Sequence, residues 1–402
     1  MTAPRRQGPR PLPLHLLTAA ATWHSSRFAL PLWKHGLLPW RPDLAERAAS
    51  LSRDLAAAAL PELAAAVERE LATRAEALAT GLEAYRGHPY RRHVRDLPTV
   101  WSDGTTRLID YGPPGGRPVL VVPSLINRAY ILDLMPERSL LGALMSQGVR
   151  PLLVDWDAPG QIERSFDLSA YVAGRLEQAF EAAADLAGAP LIVMGYCMGG
   201  LLALALALRR QREVSGLVLL ATPWDFQAGD ATGSALLGAF AAPLEAAYAP
   251  IGQIPTDILQ SLFTIVDPAL AIRKFTRFAR LDPASAEAIR FVATEDWLND
   301  GVPLAMPVAQ ECLAGWYGES RPAKGEWRIA GRAVLPERFA KPALVVLPAR
   351  DRLVPPASAT ALAARLPRVE VLKPDLGHIG IVTGGGAAKT VWTPVADWIA
   401  AR

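Results

Sequence analysis

The sequence predicts an α/β fold: a doubly wound, mostly parallel sheet with a helical region ahead of it and a helical insertion within it. Three observations carry this. Apolar runs recur at Val119–Pro123, Pro151–Trp156, Pro190–Met194, Leu217–Ala221, Ala343–Pro348 and Val369–Leu372, and those at Val119–Pro123 and Pro151–Trp156 read as strands buried on both faces. Helix-forming stretches separate most of these runs, the alternation that builds a parallel sheet. One run ends in a glycine-rich turn, Gly195-Tyr196-Cys197-Met198-Gly199-Gly200, that opens into the helix-forming segment Leu201–Leu206.

Taken in order, residues 1–95 carry no strand signal. Trp23, Phe28, Trp33 and Trp40 make the first part aromatic, and Pro42–Tyr85 is rich in Ala, Leu, Glu and Arg with helical periodicity, broken at Pro61. This region reads as a helical cap packed on the larger domain, or as an arm that touches a hydrophobic surface or a partner. Its basic start and the apolar residues 11–21 imitate a secretory leader, but prolines and His15 interrupt the apolar core such a leader needs. No apolar stretch reads as long enough to cross a bilayer, so no transmembrane segment is expected. Residues 96–402 read as that one larger domain. It opens with a hairpin, Val100-Trp101 and Thr106–Tyr111 around Ser102-Asp103-Gly104. After Leu217–Ala221 the pattern turns irregular and mostly helical over residues 226–340. An insertion there would cover the ends of the strands and carry substrate specificity.

The glycine-rich turn is the G-x-S-x-G nucleophile elbow of α/β-hydrolases with cysteine in place of serine. Small neighbours let the chain turn sharply and hold the thiol away from the sheet. In that fold the chain order is nucleophile, acid, histidine. Of the six histidines (15, 24, 35, 88, 93 and 378) only His378 follows Cys197. It sits in the glycine-flanked loop Asp375–Ile381. The acid belongs in the loop after the preceding strand, and Asp351 follows Ala343–Pro348. The expected catalytic residues are therefore Cys197, Asp351 and His378. A thiol with a pKa of about 8.5 is mostly protonated at neutral pH, so a histidine must take its proton and a carboxylate must orient the ring. Cysteine suits exchange with thioesters, since attacking and departing sulfurs leave with similar ease. The oxyanion hole would use the N–H groups of Met198, directly after the nucleophile, and Leu125, in the loop after the 119–123 strand. Asn127 and Arg128 lie on the same rim, either capping the next helix or binding substrate. Cys312, in a helical context without a glycine turn, reads as a packing residue.

Composition narrows the classes. The 402 residues are 51% hydrophobic and 20% charged, enough for a large core and unlike a disordered chain. A net charge of +3, with no basic block interleaved with aromatics, gives no reason to expect nucleic acid. Two cysteines of unequal context suit a reducing compartment rather than a disulfide scaffold, and no metal-ligand spacing occurs.

From about residue 105 onward the chain resembles polyhydroxyalkanoate synthases, most closely the short class III type. The matching segments are Leu125–Leu134, Pro136–Leu140, Val154-Asp155-Trp156 with Pro159, Gly195–Gly200, Thr222-Pro223 with Asp225-Phe226, Trp316–Gly331, Asp351–Pro356 and Gly377–Gly380. Position by position, the family's nucleophile, acid and histidine fall on Cys197, Asp351 and His378. Two features depart from the pattern: Arg352 stands where the family has a histidine after the acid, and the N-terminal region fits neither the short nor the long synthase type. The resemblance implies a cytoplasmic enzyme, at the polyester granule surface. It would polymerise 3-hydroxyacyl-CoA through an acyl-cysteine, with CoA thioester as substrate and no cofactor. The growing polyester chain and a second synthase subunit or a homodimer are the implied partners. Two other readings stand beside it: a thioesterase or intracellular polyester depolymerase using the same triad, and a non-catalytic granule-associated or partner subunit.

Overall fold

A computed structural model describes residues 6–56 and 58–402. The chain falls into two compact units. One takes in the described residues up to Tyr90 together with Phe263–Asn299, and the other comprises Arg91–Leu262 and Asp300–Arg402.

The larger unit is built on eight strands: β1 (Thr99–Asp103), β2 (Thr106–Asp110), β3 (Arg117–Val122), β4 (Val149–Asp155), β5 (Leu191–Tyr196), β6 (Val214–Leu220), β7 (Ala343–Val346) and β8 (Val369–Leu372). They form one sheet in the order β1-β2-β4-β3-β5-β6-β7-β8. β1 and β2 are an antiparallel hairpin, β2 pairs antiparallel with β4, and every other neighbour is parallel. Each apolar run of the sequence thus became a strand, displaced by a few residues at most. β5 is buried along its whole length and β3 from Pro118 on, which is why their sequences do not alternate. The order reverses around β3, whose neighbours are β4 and β5, so connections leave it in opposite directions. In doubly wound sheets that switch point opens a crevice beyond the carboxyl ends of the strands. β5 ends at Tyr196, one residue before Cys197. The helix after it, Met198–Arg209, is buried from Met198 to Ala207. Helices apolar all round belong inside a fold, and this one leaves the switch point through the core.

The segment 226–262 with 300–340 is largely helical, with two small strand pairs, Gln253-Ile254 with Leu304-Ala305 and Arg328-Ile329 with Arg332-Ala333. A wide, i→i+5 helix spans Glu311–Gly318. One apolar stretch is longer than the sequence reading allowed. By length and composition Ala231–Ile251 is apolar enough to cross a membrane, with a mean hydropathy of 1.2 over its window. It is built as consecutive helices, Ala231–Ala239 and Ala241–Tyr248, followed by a short turn of helix. The many small Ala residues raise the hydropathy of this stretch without forming the Leu/Ile/Val run that a bilayer span suggests.

The other unit is helical: Leu12–Lys34, Ala45–Ala56, Leu60–Gly87, Leu270–Phe278 and Ala286–Asn299. Pro61 lies in the first turn of Leu60–Gly87, where its missing N–H costs nothing. Ala19, Leu78, Leu82, Tyr85, Phe275, Phe278, Ala288 and Val292 form its core. Gly81 is required there, because a Cβ on it would stand 2.0 Å from the Phe275 carbonyl oxygen. Trp33 stacks on Trp40 at 5.6 Å, whereas Phe28 is 78% exposed.

Candidate active site

Cys197 sits between β5 and the helix Met198–Arg209 with φ +55° and ψ −128°. A non-glycine residue held there costs on the order of 1–3 kcal/mol and persists only where its surroundings impose it. Two backbone bonds impose it here: the Cys197 N–H donates to the Leu220 carbonyl at 2.8 Å, and the Cys197 carbonyl accepts from the Gly200 N–H at 2.9 Å. The flanking glycines are sterically fixed. A Cβ on Gly195 would meet Gly200 Cα at 2.4 Å, one on Gly199 would meet the Val122 carbonyl oxygen at 2.2 Å, and one on Gly200 would meet Thr222 Oγ1 at 1.9 Å. At Gly199 the obstacle is backbone and cannot rotate aside. Gly199→Ala should therefore destabilise the fold by about 3 kcal/mol, the upper end for overpacking, read as a fall in the denaturant midpoint at unchanged m-value.

The loop after β7 presents Asp351, and the loop after β8 presents His378. The Asp351 side chain is fully buried. Its Oδ1 accepts from the N–H groups of Leu353 and Val354, both at 2.9 Å, and its Oδ2 lies 2.7 Å from His378 Nδ1. Three hydrogen bonds to one carboxylate fix its position and leave Oδ2 aimed at the ring. Burial alone would lower the His378 pKa. Opposing it, and prevailing, are the charge of Cys197, hydrogen bonds to Asp351 and Cys197, and the Asp351 charge, so the imidazole is raised to about 10. The structure thus brings Cys197, His378 and Asp351 into one connected row. A histidine raised in the folded state stabilises that state fully below its unfolded pKa of about 6.5, and the contribution is lost as pH rises through the folded value.

Met198 and Leu125 are both buried. Met198 is the first residue of its helix, where N–H groups have no intrahelical acceptor. Leu125 lies two residues beyond Pro123, whose backbone would contact a Cβ on Gly199. Asn127 pairs through its backbone with Gly301. Its side-chain Oδ1 is buried with no hydrogen-bond partner among the described residues. Arg128 precedes the one-turn helix Ala129–Leu132 without capping it through its side chain. Its guanidinium pairs instead with Asp157 and, at 3.5 Å, with Asp300. Arg352 is exposed.

Sequence reasoning missed the residues around the row. Tyr196 stacks at a tilt on His378, with ring centroids 5.2 Å apart, and its hydroxyl donates to the His378 carbonyl at 3.2 Å. From the wide helix, Tyr317 packs edge-on to Phe226 at 4.9 Å, Phe226 stacks on Trp316 at 5.5 Å, and Trp316 meets Trp327 edge-on at 5.4 Å. Burial, then the charges of Cys197 and Cys312, raise the Tyr317 pKa, so its hydroxyl stays protonated near the thiol. The Trp, Tyr and Phe residues of the insertion were visible in the sequence, but not which of them would pack together. Cys312 is buried in the core, and burial followed by the Glu311 charge pushes its thiol well up. Cys312→Ala should cost about 1 kcal/mol for the lost sulfur, on the scale of one buried methylene, and leave the reactivity of Cys197 with iodoacetamide unchanged.

A strained cysteine at a strand-to-helix elbow, with a buried His–Asp pair from the last two strand ends of a β1-β2-β4-β3-β5-β6-β7-β8 sheet, defines a class. The family model described as alpha/beta hydrolase fold matches residues 117–385. Within that class the relatives are specific. A poly(3-hydroxyalkanoate) polymerase subunit PhaC from Synechocystis sp. is 30% identical over 294 residues, covering 71% of this chain and 78% of that protein. The subunit of the same name from Haloferax mediterranei is 30% identical over 315 residues, covering 75% of this chain and 63% of that protein. That from Allochromatium vinosum is 27% identical over 315 residues, covering 75% and 88%. The chain belongs to the poly(3-hydroxyalkanoate) polymerase PhaC family of the α/β-hydrolase fold. It spans less than two thirds of the Haloferax relative's length and most of the length of the other two.

Proposed function

We propose that this chain is a cysteine-dependent acyltransferase that joins 3-hydroxyacyl groups from CoA thioesters into polyester. The observation that carries the reading is the buried Asp351–His378 pair beside Cys197 at the elbow, in a chain whose relatives are named as polymerases. The Cys197 thiolate, paired with the His378 imidazolium, attacks the thioester carbonyl. The N–H groups of Met198 and Leu125 receive the oxyanion. The C–S bond to CoA breaks, and the departing thiolate takes the proton from His378. The hydroxyl of a second 3-hydroxyacyl group or chain end then attacks the acyl-cysteine. His378 accepts that proton, an ester bond forms, and the Cys197 thiolate returns. Water competes for the second step, so the aromatic residues Phe226, Trp316, Tyr317 and Trp327 would serve to exclude it.

Asn127 and Arg128 are proposed to meet the substrate from the rim, Arg128 with its charge shared between Asp157 and Asp300. No cofactor takes part. Two free cysteines suit a reducing, cytoplasmic setting, and the subunit names of the relatives suggest a second subunit or a homodimer as partner. The test is incubation with 3-hydroxybutyryl-CoA, following free CoA, extractable polyester and free acid separately. Polyester formation with CoA release supports the proposal. CoA release with free acid alone would make the chain a thioester hydrolase.

A further inference from the structure

We infer that Tyr196 is a positioning residue for His378, tying the histidine loop to the strand that carries the nucleophile. This rests on the proposed triad of Cys197, His378 and Asp351. Asp351 holds the histidine at the Nδ1 edge of the ring and the Cys197 thiol bonds to its side chain, which leaves the plane of the ring and the backbone of the loop unfixed. Tyr196 adds two further contacts. Its hydroxyl donates to the His378 carbonyl at 3.2 Å, fixing the backbone, and its ring lies against the imidazole at 5.2 Å and 34°, fixing the plane. The residue is the last of β5 and is bonded to Cys197. The separation between sulfur and imidazole is then set by adjacent residues of one strand end, not by two independent loops.

The position has a chemical as well as a steric consequence. A cation within about 6 Å of an aromatic ring's face is attracted by its quadrupole, more strongly where water is excluded. The phenol face is therefore a better neighbour for an imidazolium than for a neutral imidazole, and it favours the thiolate–imidazolium pair. The titratable groups facing His378 are Asp351 from the loop after β7 and Cys197 and Tyr196 from the end of β5, with Tyr317 of the wide helix facing the thiol. Tyr196 itself stays protonated. Burial, then the Cys197 and Asp351 charges, push its pKa well up, so it remains a donor while His378 titrates.

Two substitutions separate the contacts. Tyr196→Phe keeps the ring and removes the donor. Tyr196→Leu removes both. The full-length protein is mixed with 3-hydroxybutyryl-CoA and the rate of the first CoA release is measured, together with KM. The pH dependence of Cys197 alkylation by iodoacetamide is followed by peptide mass. Tyr196→Phe should slow acylation about 10-fold with KM unchanged and the alkylation midpoint in place, since misplacement of a catalytic group acts on the chemical step. Tyr196→Leu should slow acylation further and move the alkylation midpoint to higher pH. If both variants melt cooperatively and match the parent protein in rate and midpoint, Tyr196 only fills space and the inference fails. Equal loss in both variants with no shift in midpoint would also overturn the role of the ring. Cys197→Ala run in parallel keeps the two readings apart: activity surviving in that control sinks the triad, whereas an inactive control beside unaltered Tyr196 variants sinks the positioning role alone.

Discussion

Cys197→Ala should reduce CoA release from 3-hydroxybutyryl-CoA on the order of 10⁶-fold in kcat, the scale of loss where nucleophile and base act as a unit. The substitution removes one sulfur from a site whose backbone is held by its own N–H and carbonyl bonds, so the fold survives. Thermal unfolding should stay cooperative, and no acyl group should appear on the peptide that contains residue 197. Cys197→Ser is the sharper companion. A hydroxyl needs far more help to ionise than a thiol, and an oxygen ester is less activated than a thioester toward a second hydroxyl, so slow hydrolysis should outlast chain extension. Full activity in Cys197→Ala, or acylation found instead at Cys312, would remove the basis of the mechanism.

Asp351→Asn should cost on the order of 10³–10⁴-fold in kcat, the scale seen when the orienting carboxylate of a triad is neutralised. The amide can present N–H where Oδ2 now accepts from Nδ1, which favours the wrong imidazole tautomer. It also withdraws the hydrogen bond and charge that help to hold His378 protonated, leaving burial with less opposition. The effect on stability has a definite sign. The raised histidine contributes below about pH 6.5, and that contribution fades as pH climbs toward about 10. The melting-temperature gap between parent and Asp351→Asn should accordingly be widest near pH 6 and narrow toward pH 10. A gap independent of pH would mean that only the bonds to Leu353 and Val354 had been lost.

The site was readable from the sequence to the extent that its chemistry is local. The elbow announced itself because its residue types lie within six positions, three glycines and a cysteine between a strand and a helix, although the groups that leave no room for a Cβ on Gly199 and Gly200, Val122 and Thr222, lie far along the chain. Asp351 and His378 could be named because each comes after an apolar strand and the fold orders its partners along the chain. Tyr196 could not. It occupies the variable position of the elbow motif, and its value lies in a contact with a residue 182 positions away. The ion pairs of Arg128 with Asp157 and Asp300 were hidden for the same reason, as was the assembly of the aromatic insertion around Phe226.

The long-range grouping of the helices is the larger case. Residues 263–299 share a unit with the N-terminal helices, through close approaches such as Gly81 to the Phe275 carbonyl. Local periodicity fixes which face of a helix is apolar, not which distant helix will cover it. By itself the sequence determined the parallel sheet, the elbow and which cysteine, histidine and aspartate the structure brings together. Apolar runs and a glycine-rich turn are patterns of consecutive residues, and chain order is fixed by how the sheet winds. Only the tertiary structure decided what holds the histidine, which aromatics pack around the insertion and where the rim charges are spent. Those contacts join segments whose separation along the chain carries no local signal.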